Sequence, residues 1–205
     1  MFLSATQAAP ALHIACWGDS LTFGTGTPPG LPFPTVLQRL LPGSDVFNGG
    51  IAGQKSYEIA ARFLADQSRR DDFTVIWVGR NNYSETTQIL GDVADMVAAL
   101  PSPKRFVVLS VLTGDSPDEY AGQSGYSLIH SVNETLRSTY PANYLDILSF
   151  LVSQYNPRSQ RDITDHLHGI PPSSLRTDDV HLSARGYALV AERVARFILG
   201  GRVSP

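Results

Sequence analysis

The run Phe73-Thr74-Val75-Ile76-Trp77-Val78 is apolar at nearly every residue instead of every second one. A strand with one solvated face alternates, whereas a strand covered by helices on both faces does not, so this segment predicts a central strand of a parallel sheet. Four further strand-sized segments recur along the chain: Leu12–Trp17, Asp45–Asn48, Arg105–Leu112 and Tyr144–Leu148. Between them the apolar residues keep a helical period. Ile89, Val93, Met96, Val97 and Leu100 form one stripe behind a cap at Ser84, and Ile129, Val132, Leu136 and Tyr140 form a second. Tyr187, Val190, Val194, Phe197 and Ile198 form a third, which Ser183 can cap. Strands alternating with helices in this way predict an α/β fold built on a parallel five-stranded sheet.

A chain of 205 residues, 42% of them hydrophobic, suits one domain with a single buried core, expected over residues 12–200 with a short tail at 201–205. The first eleven residues lack both a basic start and a long apolar stretch, so they read as a disordered leader or expression remnant rather than a signal peptide. A net charge of −3, with no basic cluster longer than Arg69-Arg70, argues against a nucleic-acid partner. The apolar runs are strand-sized and far short of the ~20 residues of a membrane helix, so a soluble protein is expected. A single cysteine, Cys16, excludes an internal disulfide and a cysteine metal site, and its place in the first strand makes it inert core. Nothing in the sequence indicates compartment or oligomeric state.

The chemistry-bearing residues cluster where strands end. Gly18-Asp19-Ser20-Leu21 follows the first strand, Asn48-Gly49-Gly50-Ile51-Ala52-Gly53 the second, and Gly79-Arg80-Asn81-Asn82 the third. Open α/β sheets bind ligands at the carboxyl ends of their strands. Asp178-Asp179-Val180-His181-Leu182-Ser183 stands at the entrance to the last helix. A serine hydroxyl is a weak nucleophile that needs a base in hydrogen-bond reach and an acid to fix that base. Asp178 and His181 can supply both from one turn, although a one-residue shift would make Asp179 the acid. A glycine N–H and an asparagine amide can serve as donors to a developing oxyanion. Two irregular stretches, 22–34 and 156–180, are expected to enclose the site. More than half of the 17 glycines and 14 prolines fall at these strand ends and in these loops.

In order and spacing these segments resemble the four blocks of the SGNH (GDSL) hydrolase superfamily, across residues 12 to 199. Gly18-Asp19-Ser20-Leu21-Thr22-x-Gly24 matches the nucleophile block, Asn48-x-Gly50-x-x-Gly53 the glycine block, Gly79-x-Asn81 the asparagine block and Asp178-x-x-His181 the acid–base block. The resemblance implies a three-layer α/β/α sandwich similar to flavodoxin, with Ser20 as nucleophile, His181 as base and Asp178 as orienting acid. It further implies an oxyanion hole of the Gly53 N–H, the Asn81 amide and the Ser20 N–H, and neither metal nor organic cofactor.

The third block departs from the family pattern, in which an aspartate follows the asparagine: here Asn82 stands in that place and Arg80 in the variable one. Arg80, without the neighbouring acid, is expected to face substrate, together with Asp19 and Tyr83. A second Asp-x-x-His pair, Asp165 and His168, has the catalytic spacing. It is followed by Gly169-Ile170-Pro171-Pro172 instead of an amphipathic helix, which favours Asp178 and His181. Gly53-Gln54-Lys55-Ser56 lacks the spacing of a phosphate loop, Gly122-Gln123-Ser124-Gly125 that of a nucleophile elbow, and Gly24-x-Gly26 runs into two prolines. The expected activity is hydrolysis of carboxylic esters through an acyl-enzyme. Thr, Asn, Arg, His and Tyr83 in the site loops point to a small O-acyl group, such as acetyl, on a carbohydrate or other polar alcohol. A lysophospholipase or thioesterase is the alternative, and a carbohydrate-binding module that has kept the fold without catalysis is the opposing class.

Overall fold

The computed structural model describes residues 12–200, so the expectations for 1–11 and 201–205 lie outside the described residues. Five parallel strands, β1 (His13–Gly18), β2 (Asp45–Gly50), β3 (Phe73–Trp77), β4 (Phe106–Leu109) and β5 (Tyr144–Leu145), form one sheet in the order β2-β1-β3-β4-β5. Eight helices connect or follow them: α1 (Ser20–Phe23), α2 (Phe33–Leu40), α3 (Ser56–Ala65), α4 (Thr86–Ala98), α5 (Ser124–Thr139), α6 (Ile147–Val152), α7 (Gln160–His168) and α8 (Ala184–Ile198). α2 and α6 pack on α8, while α4 lies between α3 and α5, which makes the two helical layers. No helix among the described residues is long and apolar enough to cross a membrane.

The all-apolar run lies where its composition predicts, with β3 between β1 and β4 and Thr74, Val75, Ile76 and Trp77 buried. Trp77 meets the ring of Phe33 edge-to-face at 5.5 Å and donates its indole N–H to the Ser110 carbonyl at 3.0 Å, so its single polar atom is satisfied in the core. Cys16 is buried in β1, and burial pushes its thiol well above the usual range, consistent with inert core. The three helical stripes face the core, buried except for the half-buried Tyr140, Phe197 and Ile198 at their ends, and Ser183 caps α8 through Gly186 N–H at 3.4 Å.

The departures have local causes. β4 stops at Leu109, short of the expected Leu112, because the Val111 N–H and carbonyl are taken by the Asn133 side chain of α5 at 2.7 and 2.9 Å. β5 has only two residues because Asp146 accepts from the Ser149 N–H and starts α6 inside the expected strand. α4 begins after Glu85, with no side-chain cap from Ser84. The stretch 156–180 is not irregular throughout. Ser159 accepts from the Asp162 N–H, Gly169 closes the other end in the left-handed conformation, and α7 lies between them.

The sheet order reverses between β1 and β3, so their carboxyl ends flank the crevice where such sheets bind ligands. α1 follows β1 at that edge and lies close against β2. A Cβ added at Gly50 would sit 2.6 Å from Phe23 Cα and closer still to the Phe23 backbone nitrogen. Both are main-chain atoms that cannot rotate aside. Gly50→Ala is therefore expected to destabilise the protein by roughly 1–3 kcal/mol through overpacking, read as a lowered urea midpoint with an unchanged slope. An unchanged midpoint would show that α1 is free to move off β2.

Candidate active site

Asp19 stands between β1 and α1, where its Oδ1 accepts from the Leu21 N–H at 2.9 Å and caps the short helix. The next residue, Ser20, is 6% exposed, enough to present its hydroxyl at the edge of the sheet. Opposite it, residues 175–183 fold back on themselves: Arg176 bridges Leu182, Thr177 N–H donates to the His181 carbonyl at 2.8 Å, and Ser183 N–H donates to the Leu175 carbonyl at 2.8 Å. Asp178 sits at the tip of this loop. Its Oδ1 accepts from the backbone N–H groups of Val180 and His181 at 2.8 and 2.7 Å, and its Oδ2 lies 2.8 Å from His181 Nδ1.

His181 Nε2 lies 2.9 Å from Ser20 Oγ. A carboxylate only accepts, so Nδ1 carries the proton and Nε2 is left as acceptor for the serine hydroxyl. Burial pushes the Asp178 carboxyl up, but the backbone donors of His181 and Val180, then the imidazole, hold it below the usual carboxylate range. Asp179 makes no such contact and instead offers its carbonyl to Asp115 N–H. The second pair, Asp165 and His168, takes no part in this cluster: Asp165 accepts from Ser173 N–H, and His168 stacks on Tyr120 at 3.9 Å. The two irregular stretches do meet at the site, since a Cβ on Gly26 would run into Thr177 Oγ1 and lie 3.2 Å from the adjoining His181 Cβ.

At the end of β3, Gly79 takes φ +104°, a conformation open to glycine, and turns the chain into a 3₁₀ turn at Arg80–Asn82. Asn81 is exposed there and donates an amide hydrogen to the Gln54 carbonyl at 2.8 Å, which ties it to the segment carrying the exposed Gly53. Among the described residues nothing accepts its second amide hydrogen. Asn82 is buried, accepts from Ser56 N–H at 3.1 Å and donates to Ser56 Oγ at 2.9 Å, while that hydroxyl donates to Asp92. An aspartate in this place could accept from the backbone but could not donate to the hydroxyl. The residue that departs from the family pattern therefore completes a buried network. Arg62 of α3 adds a further tie, to the Gly49 carbonyl at 3.0 Å and Gln54 Oε1 at 2.7 Å. Neither it nor Gln54 belongs to a block that sequence spacing could single out.

Two of the expected substrate contacts are corrected. Arg80 does not present a free guanidinium: both terminal nitrogens bond the buried Glu119 carboxylate at 2.7 Å, and its side chain is 9% exposed. Asp19 is 1% exposed and committed to capping α1, so it cannot reach a ligand. Tyr83 is half-buried, with its hydroxyl 3.4 Å from Asp118.

With this geometry the chain matches the GDSL-like Lipase/Acylhydrolase family over residues 16–189. The chain belongs to that family. Among solved structures of this fold, a lipase/acylhydrolase from Enterococcus faecalis superposes with a TM-score of 0.72 at 18% identity, covering 93% of this chain and 96% of that one. The acetyl xylan esterase AlAXEase gives 0.67 at 16% identity over 89% and 98%, and the SGNH-hydrolase family esterase AlinE4 gives 0.59 at 16% over 97% and 100%. At these identities the likeness establishes the fold alone. The tail spike protein of Salmonella phage epsilon15 is 32% identical over 142 residues, 63% of this chain but 13% of that protein. The chain thus spans about an eighth of that relative's length.

Asp19 yields a test of the site's electrostatics. Burial raises its carboxyl from 3.8 to about 6, partly offset by the Leu21 N–H and the charges of Arg80 and His181. The folded protein therefore holds this proton more tightly than the unfolded chain, and stability from this group is full below pH 4 and lost as pH rises through 6. Asp19→Asn, which keeps the capping oxygen, should gain stability over wild type between pH 4 and 7, by up to about 3 kcal/mol. Urea denaturation at pH 4 and pH 7 measures this. A difference between the two proteins that is independent of pH would contradict it.

Proposed function

We propose that the protein removes short O-acyl groups, acetyl foremost, from a carbohydrate or other small polar alcohol through a Ser20 acyl-enzyme. The observation that carries the catalytic reading is the imidazole of His181 shared between Ser20 Oγ at 2.9 Å and Asp178 Oδ2 at 2.8 Å. Ser20 Oγ attacks the ester carbonyl as Nε2 takes its proton. Asp178 fixes the tautomer and balances the imidazolium. The oxyanion draws on the Ser20 and Gly53 N–H groups and on the second amide hydrogen of Asn81, whose first is committed to Gln54. The imidazolium then protonates the leaving alcohol. Water repeats the sequence on the acyl-enzyme, its proton passing to Nε2 and then to Ser20 Oγ as the acid departs.

Support for a small polar substrate comes from the groups around the serine, where Asn81 and Thr177 are exposed, and from a relative of the same fold described as an acetyl xylan esterase. Tyr83, two residues beyond Asn81, is our candidate for a contact to the alcohol. One observation favours a longer acyl chain: Phe23 and Ile51, beside the nucleophile turn, are 56% and 44% exposed. A series of p-nitrophenyl esters from acetyl to decanoyl separates the readings. We expect kcat/KM to be highest for acetyl or propionyl and to fall with length, whereas a maximum at octanoyl or beyond would establish the lipid-type alternative. On the best ester, Ser20→Ala should leave no measurable turnover, and Asn81→Ala should lower kcat by about 10²–10³-fold. Wild-type turnover by Ser20→Ala would end the mechanism.

A further inference from the structure

Two buried arginines lie between the segments that carry the site. Arg176, 3% exposed, donates through Nε to the Pro171 carbonyl at 2.8 Å and through one terminal nitrogen to the carbonyl of Asp178 itself at 3.1 Å. Its other terminal nitrogen lies 3.1 Å from Asp115 and 3.4 Å from Asp165. Asp115 N–H donates in turn to the Asp179 carbonyl at 2.7 Å, and its carboxylate also accepts from Tyr120 Oη at 2.7 Å. One residue earlier, Gly114 N–H donates to Glu119 at 2.6 Å, and Glu119 holds both terminal nitrogens of Arg80 at 2.7 Å. Arg80 is the immediate neighbour of Asn81 and also donates to the Leu112 carbonyl at 3.3 Å. A path of hydrogen bonds and ion pairs, joined at the Gly114–Asp115 peptide link, thus runs from the Asn81 turn, through the loop after β4, to the loop bearing Asp178 and His181.

Buried ion pairs add little net stability over well-packed apolar side chains, because desolvation offsets most of the attraction. What a planar guanidinium does provide is direction, since its donors leave in fixed orientations. We propose that Arg176 and Arg80, through Asp115 and Glu119, are positioning residues that set the Asp178–His181 loop and the Asn81 turn in register for hydrolysis. This rests on the roles given above to Ser20, His181, Asp178 and Asn81. The brace also places two residues that the site leaves unused. Asp165 is a counter-charge of Arg176, and His168, stacked on Tyr120, supports the hydroxyl that bonds Asp115.

Arg176→Lys keeps the charge but cannot serve the Pro171, Asp178 and Asp115 acceptors together. Steady-state kinetics on the best ester, normalised to active sites titrated with a fluorophosphonate, should show kcat lowered by about 10–100-fold with KM within about twofold, as expected for misplaced catalytic groups. Asn143→Ala is the control. That residue ties the far end of the sheet by donating to the Phe106 carbonyl at 2.8 Å, so its loss should lower Tm while leaving kcat per active site unchanged. Asp115→Asn, at a carboxylate one-fifth exposed, should give the same split between kcat and KM at smaller amplitude, and carries the test if Arg176→Lys does not fold. Wild-type kcat per active site in the folded variants, with Ser20→Ala inactive, overturns the brace alone. Turnover by Ser20→Ala overturns both the brace and the catalytic reading beneath it.

Discussion

The contact of 2.9 Å between His181 and Ser20 joins two residues 161 positions apart in sequence, and the geometry around it is arranged to hold that distance. One half is fixed by β1. The strand is buried on both faces, Gly50 lets α1 lie directly against β2, and Asp19 caps the helix that begins with Ser20. The other half is a loop outside the sheet, and a loop has no strand to set its position. Its register comes from the Arg176–Leu182 bridge, from the backbone donors gathered on Asp178, and from the buried arginine reaching the Asp178 carbonyl.

Two carboxyl groups act on the same imidazole and are tuned in opposite directions. Asp178 gathers donors and stays ionised at neutral pH. Asp19, the residue before Ser20, is buried with a single hydrogen bond and is pushed up to about 6. The first suits the proposed role of facing a forming imidazolium as an anion. The second is a structural cap whose charge is costly in its apolar surroundings. Neighbouring positions in sequence or in space thus say little about role until burial and donors are counted.

The fold was legible in the sequence because its signal is periodic. The unbroken apolar run of β3 reports burial on both faces, and the stripes of α4, α5 and α8 report one buried face each. Motif spacing likewise singled out Ser20, Asp178 and His181, which the fold brings into hydrogen-bond reach of one another. What escaped depends on side chains meeting across the fold. Arg80 reads as a free cation until Glu119, 39 residues away, is seen against it, and Asp165, set aside as a catalytic acid, has no role until Arg176 is placed beside it. α7 was within reach, since Ser159 and Gly169 are ordinary start and stop signals, but the high polarity of the segment hid its period.

The proposed chemistry turns on one activated serine. Incubation with diisopropyl fluorophosphate, followed by intact-mass measurement and peptide mapping of wild type and His181→Ala, tests it most directly. A single adduct per wild-type chain, located on Ser20, is expected, with labelling slowed by orders of magnitude without the imidazole. An adduct on another residue, or labelling of His181→Ala at the wild-type rate, would contradict it.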